Sequence, residues 1–159
     1  MKLLFFIFPV LVLGSCFKKQ DVSIQPESEN EIIELPDMPE RDNENTIGFA
    51  CGFSGTSSEA VASISYLAEN KKYETLKSAL YKGTPAKRYL ASVVCERLEK
   101  NKKLSLNPGE RLQLNQNINS EEQVHTCSGC TYFEQQSLKT LNSDEFFNRE
   151  IDEWLNALL

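Results

Sequence analysis

Any reactive chemistry in this chain would rest mainly on sulfur. The sequence holds five cysteines and a single histidine. Cys127 and Cys130 stand in a Cys-x-x-Cys spacing, with His125 two positions upstream. A thiol–disulfide redox pair uses this spacing, but within a strand-then-helix βαβ setting that the flanking residues do not provide. A zinc site uses it as one knuckle; His125, Cys127 and Cys130 would then need a fourth ligand, and no second knuckle follows. Covalent haem attachment requires histidine directly after the second cysteine, where this chain has Thr131. A Cys–His nucleophile would lack an orienting third group and an oxyanion site. Glu121-Glu122 and Asp144-Glu145 read as acidic residues at helix starts, where the dipole favours them, not as acid–base pairs. Gly52 and Gly55 follow no strand and precede no lysine, so they do not form a phosphate cradle. No catalytic residue, metal or cofactor is expected.

The fifth cysteine, Cys16, has a different setting. Met1-Lys2 leads into an uncharged apolar run, Leu3 to Leu13. That run is too short for a bilayer core, which needs about 20 residues, and has the length of a secretory leader. It closes on Leu13-Gly14-Ser15-Cys16, which closely resembles the lipobox of bacterial lipoproteins. The resemblance covers only the first sixteen residues. It implies that residues 1–15 are a signal peptide, that the Cys16 thiol receives a diacylglycerol, and that cleavage leaves Cys16 as an acylated amino terminus. One acyl chain binds a membrane only marginally, whereas two or more hold it firmly. Phe17, not Asp, follows the cysteine; by the lipoprotein sorting pattern this implies the outer membrane in a Gram-negative cell.

Export also changes how the other thiols are read. With Cys16 lipidated, Cys51, Cys95, Cys127 and Cys130 remain in an oxidising compartment, an even number with three connectivities. The favoured pairs are Cys127–Cys130 as a local link and Cys51–Cys95 as a staple onto a helix.

The chain is acidic, with a formal charge of −6, or −7 once Lys2 is lost with the leader. Nucleic acid is therefore excluded as the main partner. Residues 17–56 carry a net −6, residues 57–103 a net +5, and residues 104–159 a net −6. The basic middle reads as a helix surface facing acidic neighbours within the fold, with docking of an acidic partner as the alternative. Residues 16–47 read as a lipidated terminus and a disordered acidic linker, carrying Pro26, Pro36 and Pro39 among many charged and amide side chains. Glu31-Ile32-Ile33-Glu34-Leu35 is its one apolar cluster.

A single domain over 48–159 must then position the cysteines. Phe49 to Gly55 is turn-rich, with Phe49 and Phe53 set to pack on the helices that follow. Helices are expected over 57–70, 73–82 and 84–100, the last capped by Thr84 with Pro85 at its first position and preceded by Gly83. Tyr73 to Leu80, Gly83-Thr84-Pro85 and Tyr89-Leu90-Ala91-Ser92 resemble a HEAT-like helical repeat over about 57–101. A solenoid needs about three repeats, so the resemblance implies repeat-like packing in a small bundle. Alternation around Asn107-Pro108-Gly109-Glu110 predicts a short β-hairpin near 104–114. Ser120 to Gln123 suits one capped helical turn, and Tyr132 to Leu141 is compatible with helix. The last helix follows Ser143-Asp144-Glu145, with Phe147, Ile151, Trp154, Leu155 and Leu158 on one stripe.

The expected fold class is thus mainly α: a small helical bundle with HEAT-like hairpins and a short β element. The expected function is a membrane-anchored envelope lipoprotein that binds another envelope protein without catalysis. The alternatives are a thiol-redox protein using Cys127 and Cys130, and a small inhibitor or immunity-like envelope protein.

Overall fold

The computed structural model describes residues 43–159. Cys16, the leader and the Glu31–Leu35 cluster lie outside the described residues. The protein is mainly α with a small sheet. A 3-10 turn at Asn43–Asn45 leads into β1 (Thr46–Ile47). Helices α1 (Glu59–Glu69), α2 (Tyr73–Ser78), α3 (Pro85–Lys100) and α4 (Pro108–Ile118) follow. The chain returns to the sheet as β2 (Gln123–Ser128) and β3 (Thr131–Ser137), then closes with α5 (Leu138–Asn142) and α6 (Glu145–Leu158). The sheet order is β1-β2-β3. β1 runs parallel to β2, with Thr46 opposite His125 and Ile47 opposite Thr126, whereas β2 and β3 are antiparallel.

Local chemistry accounts for the helix ends. Ser58 Oγ accepts from the Val61 N–H, Thr84 Oγ1 accepts from the Lys87 N–H, and Asp144 Oδ1 accepts from the Phe147 N–H. Pro85 fills the first position of α3, where no amide proton is needed. Gly83, at φ +100°, makes the turn before it. α3 is the central element: Ala86, Tyr89, Leu90, Val94, Cys95 and Leu98 have no exposed surface. α6 lays Phe147, Ile151 and Leu155 onto the core as the stripe requires, with Trp154 and Leu158 half-buried beside them.

A buried amide ties α4 down. Asn117 Nδ2 donates to the Leu80 carbonyl at 2.9 Å and to Ser92 Oγ at 3.0 Å, and Gln113 Nε2 donates to Asn117 Oδ1 at 2.9 Å.

Five local expectations are corrected. The region expected to form a hairpin near 104–114 contains α4, because Asn107 and Glu110 form a reciprocal capping box around Pro108. The hairpin is β2–β3 instead. Ser120 to Gln123 is not a helical turn: Ser120 Oγ accepts from the Glu122 N–H just before β2 begins. Residues 132–141 are compatible with helix by composition, but 132–137 belong to β3 (Thr131–Ser137), with helix only from Leu138. The fold also begins before residue 48, because Thr46 and Ile47 pair with β2 and Ile47 is fully buried. Phe53, expected to pack inward, is fully exposed at a loop tip, while Phe49 does pack against Phe147 and Trp154, its ring centroid 6.3 Å and 5.3 Å from theirs.

Candidate functional site

The sulfur chemistry gathers where the loop after β1 meets the β2–β3 turn. β1 delivers Gly48 and then Cys51 alongside β2. The loop closes on itself through Cys51 N–H donating to the Thr56 carbonyl at 2.7 Å, with Gly52 and Gly55 at φ +67° and +62°. Cys127, near the end of β2, faces it, and the two form a disulfide with Cα atoms 5.6 Å apart. The bridge is nearly enclosed, with Cys51 at 8% and Cys127 at 3% exposure. Ser128 and Thr131 pair across the hairpin, so Gly129 and Cys130 form a two-residue turn, with Gly129 at φ +54°.

The favoured pairings are therefore replaced. Cys51 bonds Cys127, not Cys95, and Cys130 is a free, exposed thiol. Cys95 is free and fully buried in α3. The charges that act on it, Glu110, Lys77 and Glu99, sit on α4, α2 and the later turns of α3, so it faces the α2–α4 side of the core. Burial pushes its thiol up to about 12, which leaves it protonated and inert at neutral pH.

The other candidates have structural partners. Gln135 donates to His125 Nε2 at 2.9 Å. Cys127 is committed to its disulfide, so His125, Cys127 and Cys130 do not present a ligand set. Among the described residues, no group of three or more His, Cys, Asp or Glu side chains is placed to hold a metal ion. Glu121 pairs with Lys139 at 2.8 Å, and Glu122 takes both oxygens to Arg88 at 2.5 and 2.6 Å. Both carboxylates precede a strand, not a helix as expected. Asp144 caps α6, as its position before the apolar stripe implies.

The basic block meets acidic flanks inside the fold. Lys87 reaches Glu44 at 3.5 Å, Lys77 reaches Glu110 at 3.9 Å, Arg88 reaches Glu122, and Arg97 reaches Asp152; Lys87 also reaches Glu59, within its own segment, at 3.4 Å. The alternating charge of the three segments is thus used in part to close the domain. Beside the bridge is a cleft of about 120 Å³ between β2 and α6, lined by Ile47, Cys127 and Phe147 and edged by Asp144 and Glu150. A larger groove of about 310 Å³ runs between α3 and α6, with Tyr89 lining it and Arg97 and Asp152 joined within its walls.

Sequence reasoning missed Gly48 and the partner of Cys51. Two signals pointed toward them. Thr46-Ile47 is a β-branched pair directly before a glycine. Val124 and Thr126 precede Ser128-Gly129, with Thr131 after it, which is hairpin composition.

No family model, no curated protein and no solved structure matches this chain.

Proposed function

We propose that the protein is a bacterial envelope lipoprotein, held to a membrane through acyl chains on Cys16, whose folded domain binds another envelope component without catalysis. The observation that carries this reading is Leu13-Gly14-Ser15-Cys16 closing a short apolar leader with a basic start. The acidic, proline-bearing stretch that follows suits a tether, and proline with like charges favours an extended form. The Cys51–Cys127 bridge is compatible with the same address, because such bonds persist outside the reducing cytoplasm.

The structural uses of the polar residues are compatible with a role that is not catalytic. The paired carboxylates hold Lys139 and Arg88, Asp144 caps a helix, and His125 is bonded to Gln135.

The test is expression of the full chain with metabolic labelling by a palmitate analogue, beside Cys16→Ser. The wild type should carry label and sediment with membranes; C16S should lose the label and the membrane association. Equal fractionation of the two, with no label on the wild type, refutes the anchor. Affinity capture with the lipidated protein from envelope extract, compared with C16S, then identifies the partner.

A further inference from the structure

Cys130 is not an isolated surface thiol. It shares its turn with Gly129, whose N–H donates to the Ala50 carbonyl at 2.7 Å, while Gly52 N–H donates to the Gly129 carbonyl at 2.6 Å. Gly129 thus forms a backbone bridge with Cys51. The turn carrying the free thiol is fastened to the segment carrying one sulfur of the disulfide, and the other sulfur, on Cys127, lies three residues back on the same hairpin. Cys130 follows Gly129 directly, so it is one residue along the chain from the backbone pair that Gly129 makes with Cys51. Three cysteines therefore share one disulfide at one end of the sheet.

We propose that Cys130 is the internal exchange partner of the Cys51–Cys127 bridge. The Cys130 thiolate attacks Cys127 Sγ, the Cys51–Cys127 bond breaks, a Cys127–Cys130 bond forms, and Cys51 leaves as a thiolate that takes up a proton. One disulfide and one thiol are present before and after, so no oxidant or reductant enters. The Cys-x-x-Cys spacing favours Cys127 as the sulfur attacked, since the new ring then closes within the hairpin. The exchange releases the Cys51–Thr56 loop, with Phe53 at its tip, from its covalent hold on β2, while its backbone hydrogen bonds to Thr56 and Gly129 remain. The two states differ in which thiol is available: Cys130 on the turn, or Cys51 at the base of the loop. Cys95, enclosed in α3, offers no competing thiol. The inference does not depend on the lipid anchor.

The experiment uses the full chain, folded and never reduced. It is incubated at neutral and at mildly alkaline pH, alkylated with N-ethylmaleimide, quenched in acid, digested and mapped by mass spectrometry. The expected result is prompt labelling of Cys130, none of Cys95, and a fraction with Cys51 labelled and Cys127 bonded to Cys130. At a fixed short incubation that fraction should appear faster at the higher pH, because a thiolate and not a thiol attacks a disulfide. Cys130→Ser should abolish Cys51 labelling while leaving the circular dichroism unchanged. Brief alkylation of Cys130 in the wild type before incubation should give the same block without a substitution. Cys51 remaining unlabelled in the folded wild type overturns the proposal, as does equal Cys51 labelling in C130S or release of Cys127 in its place.

Discussion

Gly48 lies so close to the Cys51–Cys127 bridge that a Cβ there would come within 2.1 Å of Cys127 Sγ and 2.3 Å of Cys51 Sγ. The backbone is held in place from the other side: Ser58 N–H donates to the Gly48 carbonyl at 2.8 Å, and Gly48 N–H donates to Ser58 Oγ at 3.3 Å. The glycine is required by space, because no side chain fits between the first strand and the two sulfurs. Gly48→Ala should therefore cost about 1–3 kcal/mol, the usual range for overpacking. In a C51A/C127A background most of that cost should vanish, leaving only the contact with the Cys127 carbonyl at 2.8 Å. A double-mutant cycle by urea denaturation reads the difference; an unchanged cost would mean that the sulfurs are not what the methyl meets.

Tyr89 should tolerate loss of its hydroxyl. Its side chain is fully buried, and its phenol oxygen, among the described residues, is the buried side-chain polar atom without a hydrogen-bond partner. Burial also pushes its titration far upward, so it stays neutral throughout the working range. An unpaired buried hydroxyl costs about 1–3 kcal/mol. Tyr89→Phe keeps the ring contact with Phe147, at 6.2 Å between centroids, and should raise stability by about 1 kcal/mol. A loss of stability in the urea midpoint would show that the hydroxyl has a partner.

Asn117 should behave in the opposite way. Replacement by Ala strands the Leu80 carbonyl in the core and should cost about 2–3 kcal/mol. Asn117→Asp places a carboxylate against that carbonyl, so its penalty should be greatest at neutral pH and shrink as acid protonates it. Thermal unfolding of both variants against pH separates the two effects.

Acid should destabilise the domain through its carboxylate pairs. Arg88 holds Glu122 below the usual carboxylate range through its hydrogen bonds, against the opposing pull of partial burial. Arg111, with the Leu106 N–H, does the same for Glu99, and Lys139 does so for Glu121. Each folded value lies below the unfolded one of about 4.3. The stability from these pairs is therefore complete above about pH 4.3 and is lost as pH falls through the folded values. Solvent screening keeps each contribution small. Arg88→Met should flatten the acid limb of the stability curve, followed by Trp154 fluorescence; an unaltered limb would remove this pair from the account.

Much of the helical architecture was legible in the residues. Thr84-Pro85 and Gly83 mark the start of α3 because a capping hydroxyl, a proline without an amide proton and a glycine at positive φ each suit one position there. The stripe Phe147, Ile151 and Leu155 identifies the buried face of α6, since steps of four residues return to one side of a helix. Pro108-Gly109 misled, because the same dipeptide opens a turn or the first positions of a helix, and Asn107 with Glu110 decides between them. Residues 132–137 misled for a different reason: pairing with β2 overrides a composition compatible with helix.

By itself, the sequence determined the mainly α class, the ends of α3 and the inward face of α6, because these follow from local backbone chemistry and a period of 3.6 residues. Only the tertiary structure decided which sulfurs meet. Cys51 and Cys127 are 76 positions apart, and bonding requires Cα atoms to come within about 7 Å. The parallel pairing of β1 with β2 across four intervening helices brings that about; local composition marks each strand by itself but does not record that the two pair.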